Sequence, residues 1–193
     1  DRSVSRGLGD VYKRQEMRKK IMLSMLAVMT AMTVQAQIGY KGQVTAAIDG
    51  GITHLGGFVG AARIGAYLSP HSVLGGGVMF DKTRYDATLG DSFDAAQWLG
   101  EIHYQYAVAL NRFVLLPSGG LLLGGESCDR LSRQGNLLPY QNQFVYGLFA
   151  EFGVEYVFGR HWTVAVNPRL QYLMKTNFDS LKLSGSVGLK YYF

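Results

Sequence analysis

Two side chains that could do chemistry lie two residues apart in this sequence. Glu101 and His103 share one face of a predicted strand, and Asp81 is expected on the strand beside them. A carboxylate next to an imidazole can transfer a proton or help to bind a metal ion. The competing interpretation is a network of neutralised interior charges, because buried charges are normally paired. We favour the network and expect no metal site, since none of the 4 histidines forms a His-x-His or His-x-x-x-His pair.

A serine–histidine combination and a single cysteine are the other reactive groups. Ser184 and Ser186 lie in the last predicted strand and His161 lies at a turn, so we do not expect a catalytic triad acting on lipid. Cys128 falls in the longest predicted loop, and a sole cysteine can form neither an internal disulfide nor a cysteine-based zinc site. The glycine runs lack the Lys and Ser/Thr of a phosphate-binding loop. We therefore predict no catalytic residue and no cofactor.

The elements that position these residues are β-strands, because apolar and polar residues alternate with a period of two. The alternation is clearest over 143–158, where Val145, Phe149 and Val157 are the exceptions. Pro168 falls on the apolar face of a later strand, where it must remove a ladder hydrogen bond or sit at a bulge. Adjacent leucines at 115–116 and 121–123 also break the pattern. Eight strands are predicted, over 43–50, 58–68, 73–85, 96–110, 113–125, 143–158, 162–172 and 181–193.

The polar face of these strands combines small side chains with charges of both signs. This composition suits the filled polar lumen of an eight-stranded barrel whose apolar residues point outward into lipid. A soluble sandwich or calycin-type barrel would show the same alternation with the apolar side chains inside. We favour an all-β, eight-stranded antiparallel up-and-down barrel of the outer-membrane type. Its predicted lumen residues are Asp49, Arg63, Asp81, Glu101, His103, Glu151, Glu155, Arg169, Lys182 and Lys190.

The connections and the aromatic residues favour the membrane interpretation. Connections at 69–72, 111–112 and 159–161 are short, whereas those near 50–57, 86–95, 126–142 and 174–180 are longer. Outer-membrane barrels have short periplasmic turns and long outer loops, which places both termini on the periplasmic side. The chain closes on an alternating strand with Tyr191 and a terminal Phe193, a pattern typical of such barrels. These two rings, with Trp162, Tyr156 and Phe158, are predicted to form one interfacial girdle.

The amino-terminal region predicts export. Residues 17–36 have a basic start, a short apolar core and small residues before a predicted cleavage site after about Ala36, as in a secretory signal peptide. An amphipathic surface helix is the alternative, but the apolar core has no polar stripe. Residues 1–16 fit neither a leader nor a strand, and we interpret them as a non-native segment or as a wrongly assigned leader. The single predicted domain is 37–193.

Charge gives no support for nucleic-acid binding. The whole chain has a formal charge of +5, but residues 37–193 carry 12 Lys and Arg against 11 Asp and Glu, a formal charge of +1. The basic excess therefore belongs to the predicted leader. Without a basic surface on the barrel domain, direct contact with nucleic acid is not expected.

The carboxy-terminal half resembles a known family. The segments 142–147 (NQFVYG), 151–156 (EFGVEY), 167–170 (NPRL) and 185–191 (GSVGLKY) are similar to TraO, a conjugal transfer protein of conjugative transposons in Bacteroidetes. The resemblance implies a structural or assembly role in an envelope-spanning mating apparatus, with other conjugal transfer proteins and outer-membrane lipid as partners and no catalysis. Two alternatives stay open: a general small outer-membrane barrel of the adhesin or porin-like type, and a barrel enzyme acting on lipid.

Overall fold

The computed structural model describes residues 39–86, 92–128 and 142–193. The predicted non-native segment 1–16 and signal peptide 17–36 lie outside these residues. The described part contains no helix long and apolar enough to cross a membrane. It forms nine strands: β1 (Val44–Thr53), β2 (Phe58–Ser69), β3 (Ser72–Asp86), β4 (Ser92–Tyr106), β5 (Val108–Leu110), β6 (Phe113–Cys128), β7 (Gln143–Val157), β8 (Trp162–Leu173) and β9 (Leu181–Tyr192).

The strands close into an antiparallel barrel. Consecutive strands pair with each other except β4 and β5, which both pair with β6, and β9 pairs back onto β1. β5 continues β4 beyond the inward-facing Ala107 and pairs with the start of β6. β4 and β5 together therefore form one of the eight strands of the barrel. The predicted fold class, a closed eight-stranded up-and-down barrel, is confirmed.

Several strands are longer than the sequence pattern indicated. β1 continues through Gly50 and Gly51 to Thr53, and β3 and β4 reach Asp86 and Ser92, so the connections there are 54–57 and 87–91. Because glycine has no side chain to mark a face, the sequence pattern did not show where β1 ends. Cys128, predicted in a loop, is the last residue of β6 and lies opposite Ala95 of β4.

The barrel is apolar outside and largely polar inside. Outward side chains include Ile52 and Val187, which are 70% and 57% exposed, whereas the inward Lys182 is 1% exposed. In water such a surface would be unfavourable, because exposed apolar area of this extent marks a contact with lipid or protein. The soluble sandwich or calycin alternative, with apolar side chains inside, is therefore wrong.

Aromatic rings mark both edges of the apolar outer wall. At the short-turn end, Tyr191 contacts Trp162 and Phe193, with ring centroids 4.8 and 4.9 Å apart. At the opposite end of β8 the outward ring is Tyr172. The ten residue-to-residue steps from Trp162 to Tyr172, at about 3.4 Å each and tilted by about 40°, span roughly 26 Å along the barrel axis. That height matches the apolar band of a membrane barrel, about 25 Å.

Two irregular sequence positions have simple structural explanations. Around Pro168, the pairing of β7 with β8 skips from Glu151–Arg169 to Val154–Val166 without a change of register. The proline therefore interrupts the ladder without forming a bulge, because its nitrogen has no hydrogen to donate. In the leucine run 121–123, the middle residue points inward and is fully buried, while its two neighbours face outward.

Candidate functional site

The centre of the lumen is crossed by a network of buried ion pairs. Arg63 of β2 donates two hydrogen bonds to the Glu151 carboxylate of β7, at 2.8 and 2.9 Å. Its Nε lies 3.1 Å from Glu101 of β4. Arg169 of β8 donates to the other Glu101 oxygen at 2.6 Å. These four side chains link four strands across the barrel, and the bidentate Arg63–Glu151 contact has the geometry that makes arginine–carboxylate pairs strong.

Three further polar residues extend this central network. His103 Nδ1 lies 3.1 Å from Glu101. Asn167 donates a hydrogen bond of 2.8 Å to Asp49, whose second oxygen lies 3.6 Å from Arg63 Nε. The Arg169 guanidinium also stacks 3.6 Å from the centre of the Phe149 ring. An arginine held by carboxylates and by an aromatic face is fixed in position, as a structural group requires.

A second network lies near the end of the barrel that carries the longer connections. Lys182 of β9 donates to Asp81 at 3.1 Å and to the Gln97 side-chain oxygen at 3.0 Å. Gln97 in turn donates to Glu126 of β6 at 2.7 Å. Glu126 also accepts hydrogen bonds from the Thr176 hydroxyl at 2.6 Å and the Asn177 backbone at 3.0 Å. This carboxylate therefore ties the β8–β9 connection to the inside of the barrel.

The same connection contributes an aromatic contact at the barrel mouth. Phe178 stacks on Tyr85 and packs at a tilt against Phe93, with ring centroids 4.6 and 5.6 Å apart. Tyr85 and Phe93 are neighbours on β3 and β4. The connection thus lies against the β3–β4 side of the opening.

A third network closes the short-turn end. Lys190 of β9 donates to Glu155 of β7 at 2.8 Å, and the Tyr192 hydroxyl donates to the second Glu155 oxygen at 2.7 Å. The hydroxyl of Thr163 donates to the same oxygen at 3.3 Å. All of these residues are nearly inaccessible to solvent.

Apolar side chains fill the lumen between and below these networks. Val145 and Phe149, the exceptions to the polar pattern of β7, join Leu99 and Leu122 in one buried cluster. A second cluster at the short-turn end includes Tyr67 and other buried rings and aliphatics. One interior cavity is about 30 Å³, room for roughly two water molecules. The buried clusters and polar networks thus fill most of the described lumen.

All ten predicted lumen residues have their side chains inside the barrel, and the structure divides them into three groups. Six belong to the central network, two to the network near the longer connections and two to the network at the short-turn end. In that order they are Asp49, Arg63, Glu101, His103, Glu151 and Arg169; Asp81 and Lys182; Glu155 and Lys190.

The sequence interpretation missed the residue with the most partners at the mouth. Glu126 was assigned to a loop, because the strand was predicted to end at 125. Continuing the alternation from Leu122 through Gly124 would have placed it inside the barrel. Asn167, Gln97 and Tyr192 were also missed as network members, because a neutral inward residue does not stand out in a polar face.

Comparison with known proteins supports the same fold. No family model and no curated protein sequence matches this chain. The N-terminal β-barrel domain of Pseudomonas aeruginosa OprF is similar in structure, with 13% identity, 79% of this chain and 98% of that chain covered, and a TM-score of 0.57. Ail, the attachment invasion locus protein of Yersinia pestis, matches with 10% identity, coverage of 79% and 99%, and a TM-score of 0.52. The outer membrane protein OprG of P. aeruginosa matches with 14% identity, coverage of 82% and 99%, and a TM-score of 0.51.

At these identities the likeness shows the fold alone, which is that of the small outer-membrane β-barrels. The matches cover nearly the whole length of each neighbour. In extent the described barrel therefore corresponds to the barrels of these neighbours.

The groups considered for catalysis do not come together. His161 lies at the short-turn end, where its Nδ1 is 2.8 Å from the Tyr192 carbonyl oxygen. Ser184 lies toward the other end of β9, opposite Thr53 and Arg169. Within the described ranges, no group of three His, Cys, Asp or Glu side chains is arranged to hold a metal ion. The arrangement of the lumen suits mutual neutralisation of charge.

Gly188 of β9 allows the central network to approach the wall. A Cβ at this position would collide with the Asp49 carboxylate, the acceptor of the Asn167 hydrogen bond. We expect Gly188→Ala to lower the free energy of unfolding by about 1–3 kcal/mol through overpacking. The measurement is urea unfolding of the barrel in lipid vesicles, followed by tryptophan fluorescence.

Gly185 of the same strand supplies the matched control for that experiment. It faces outward, and a Cβ there would meet no atom within 4 Å. Gly185→Ala should change the free energy of unfolding by less than about 0.5 kcal/mol. Equal losses from the two substitutions would show that Gly188 has no special role beside Asp49.

Proposed function

We propose that this protein is a structural component of the outer membrane: a closed barrel that anchors its longer connections on one side of the membrane. The observation that carries the proposal is the combination of an apolar outer wall with a lumen crossed by three buried polar networks. The first feature fits insertion into lipid, and the second gives the barrel stiffness without a passage. The function would then lie with the longer connections that the barrel holds at its rim.

The filled lumen argues against a function as a passive pore. The Arg63–Glu151 and Arg169–Glu101 pairs cross the centre, and buried apolar clusters lie on both sides of them. The purified protein in planar lipid bilayers should therefore give no regular conductance steps. Stable steps of one uniform size, abolished by unfolding the protein, would contradict the closed-barrel proposal.

The proposed location and orientation can be tested together. An epitope inserted within 129–141, the longest connection, should be accessible to antibody on intact cells. The same epitope inserted between Asn111 and Arg112, in a two-residue turn where Asn111 has a φ of 56°, should be accessible only after the outer membrane is opened. Recovery of the protein in the soluble periplasmic fraction would overturn the location itself.

We propose no catalytic role. Ser184 and His161 lie toward opposite ends of β9, and the inward carboxylates are engaged with cations or hydrogen-bond donors. A barrel enzyme acting on lipid would need a nucleophile and a base within hydrogen-bonding reach of each other. Lipid hydrolysis by the purified protein that is lost in a Ser184→Ala variant would reverse this conclusion.

A role in conjugation is a second, more specific proposal, supported by the sequence. The segments that resemble TraO, at 142–147, 151–156, 167–170 and 185–191, lie in and beside β7, β8 and β9. In that role the barrel would hold other transfer proteins at the outer membrane, and its filled lumen fits an anchor better than a DNA conduit. A role as a general small surface barrel fits the fold at least as well.

Gene deletion separates these two functions. If the barrel serves a mating apparatus, deletion should reduce transfer of the resident mobile element to background, and the intact gene supplied in trans should restore it. Unchanged transfer from the deletion strain would leave the general surface barrel as the function. Insertion into the outer membrane should be the same in either case.

A further inference from the structure

The outer wall of the barrel carries charge at only one place among the side chains that the structure describes. On every strand, the outward positions are aliphatic, aromatic, small or hydroxyl-bearing, except toward the ends of β3 and β4 that border residues 87–91. There Lys82 and Arg84 of β3 and Asp94 of β4 face outward. A charged site on the wall of a membrane barrel is costly unless it meets a polar partner at the membrane surface.

The two cations share one carboxylate. Lys82 Nζ lies 3.3 Å from one Asp94 oxygen, and Arg84 Nε lies 3.1 Å from the other. The side chains of Lys82 and Arg84 are both 53% exposed. Asp94 therefore holds the cations next to each other but neutralises only one of them, so the three described side chains leave a net charge of +1.

An open groove lies beside this group. It has a volume of about 510 Å³ and is lined by 55–57 of the β1–β2 connection, by Phe58 and Phe80, and by Lys82, Arg84 and Asp94. The lining thus combines apolar and aromatic side chains with two cations and the carboxylate between them. This combination fits an amphiphile whose anionic group lies against the cations while its apolar part meets the rings.

The height of the group on the barrel fits a lipid headgroup. Phe80 and Trp98 pair across β3 and β4, with ring centroids 4.5 Å apart, and form part of the aromatic edge. Two residues further along β3, Lys82 lies about 5 Å farther along the barrel axis, and Arg84 about 10 Å farther. The headgroup layer beyond the hydrocarbon has a similar thickness, about 5–8 Å.

The wall below the cations can accommodate acyl chains. Val78 follows Phe80 on the outward face and is 60% exposed, with Ala62 and Gly100 as its neighbours on the adjacent strands. Because these neighbours are small, the apolar side of Val78 is open on the wall beneath Phe80. A lipid whose phosphate contacts Lys82 and Arg84 would have its chains beside Val78.

We propose that Lys82, Arg84 and the groove beside them bind a phosphorylated glycolipid of the outer leaflet, with its phosphate on the two cations and its acyl chains along β3. The proposal rests on the proposed outer-membrane location, with the longer connections facing outward. Charge complementarity selects the ligand: the site presents two half-exposed cations at the level where such a lipid carries its phosphates. Asp94 holds the two cations next to each other and offsets one of their charges.

The test measures binding of lipid A to the barrel domain (residues 37–193) in phosphatidylcholine nanodiscs, by displacement of a fluorescent lipid A analogue. We expect the double variant Lys82→Gln/Arg84→Gln to bind lipid A at least about tenfold more weakly than the wild type. Wild-type binding should weaken similarly when dephosphorylated lipid A with the same acyl chains is used. Equal affinity of wild type and double variant, or equal affinity for the two lipids, would overturn the proposal.

Two controls keep the result specific to this site. Arg112→Gln/Arg160→Gln removes two cations from the short-turn end and should leave lipid A affinity unchanged; a comparable loss there would reveal non-specific attraction and refute the site. Asp94→Asn should bind lipid A at least as tightly as the wild type, and weaker binding would also count against it. Insertion is scored separately by the heat-dependent gel shift of folded barrels. A wild type that does not insert refutes the proposed location, whereas a wild type that inserts but does not discriminate phosphate refutes only the lipid site.

Discussion

Replacing Arg63 with methionine should lower the free energy of unfolding by about 3–5 kcal/mol, the usual effect of removing one partner from a buried ion pair. Arg63 contacts three carboxylates, those of Glu151, Glu101 and Asp49. Without it, Arg169 is the remaining arginine that faces them, so like charges are left close together in a site of low polarity. Urea unfolding in vesicles of defined thickness measures the change.

Arg84→Met provides the control, because it removes an arginine from an ion pair that is half-exposed. Its contact with Asp94 has almost the same length as that of Arg63 with Glu101, 3.1 Å in each case. Exposed pairs contribute about 0–1 kcal/mol, so this variant should be close to the wild type in stability. In addition, Arg63→Met combined with Glu151→Leu should recover part of the loss, since no uncompensated charge remains from that pair. If Arg63→Met and Arg84→Met have equal effects, the central network does not stabilise the barrel.

Replacing Val187 with arginine should impair insertion and cost about 2–4 kcal/mol in the free energy of folding into lipid. Val187 lies on the outward face of β9 opposite Gly50 and Val166, near the middle of the apolar band. A guanidinium at that depth must reach about half the membrane thickness to contact water. The fraction of folded protein after mixing with vesicles, read from the heat-dependent gel shift, measures the effect.

Leu181→Arg is the comparison on the same strand, matched in exposure but placed at a different depth. Leu181 also faces outward and is 55% exposed, against 57% for Val187, but it lies at the end of the band opposite Tyr172. Arginine near the interface costs about 0–1 kcal/mol, so this variant should insert almost normally. A penalty that does not depend on depth would mean that the wall does not cross a bilayer in the assumed position.

The fold could be predicted from the sequence because two independent features of the sequence indicate it. The inward and outward positions of β7 and β9 are each marked by residues of opposite polarity, and the short turns lie at every second connection. The limits of the strands were less predictable wherever glycine or a small residue stood at the edge, as at Gly50–Gly51 in β1. There the hydrogen-bonded ladder, and not side-chain polarity, decides where the strand ends.

The partners inside the lumen could not be predicted. Glu101 and His103 were adjacent in the pattern, and the structure does place them together, but their contacts with Arg63 and Arg169 join strands far apart in the sequence. Such contacts depend on the stagger of the closed barrel, which the alternation does not specify. The buried Phe149, an exception in the predicted polar face, owes its position to the same stagger, because it lies beneath the Arg169 guanidinium.

The joining of β9 to β1 also determines when, during its synthesis, the molecule can be completed. Nine backbone pairings connect Thr45–Thr53 with Ser184–Tyr192, and Phe193 donates its amide hydrogen to the carbonyl of Val44. Until β9 has been synthesised and exported, β1 keeps an unpaired hydrogen-bonding edge that can mispair with other chains. A chain that lacks β9 should therefore fail to close, and we expect it to be degraded before it reaches the bilayer.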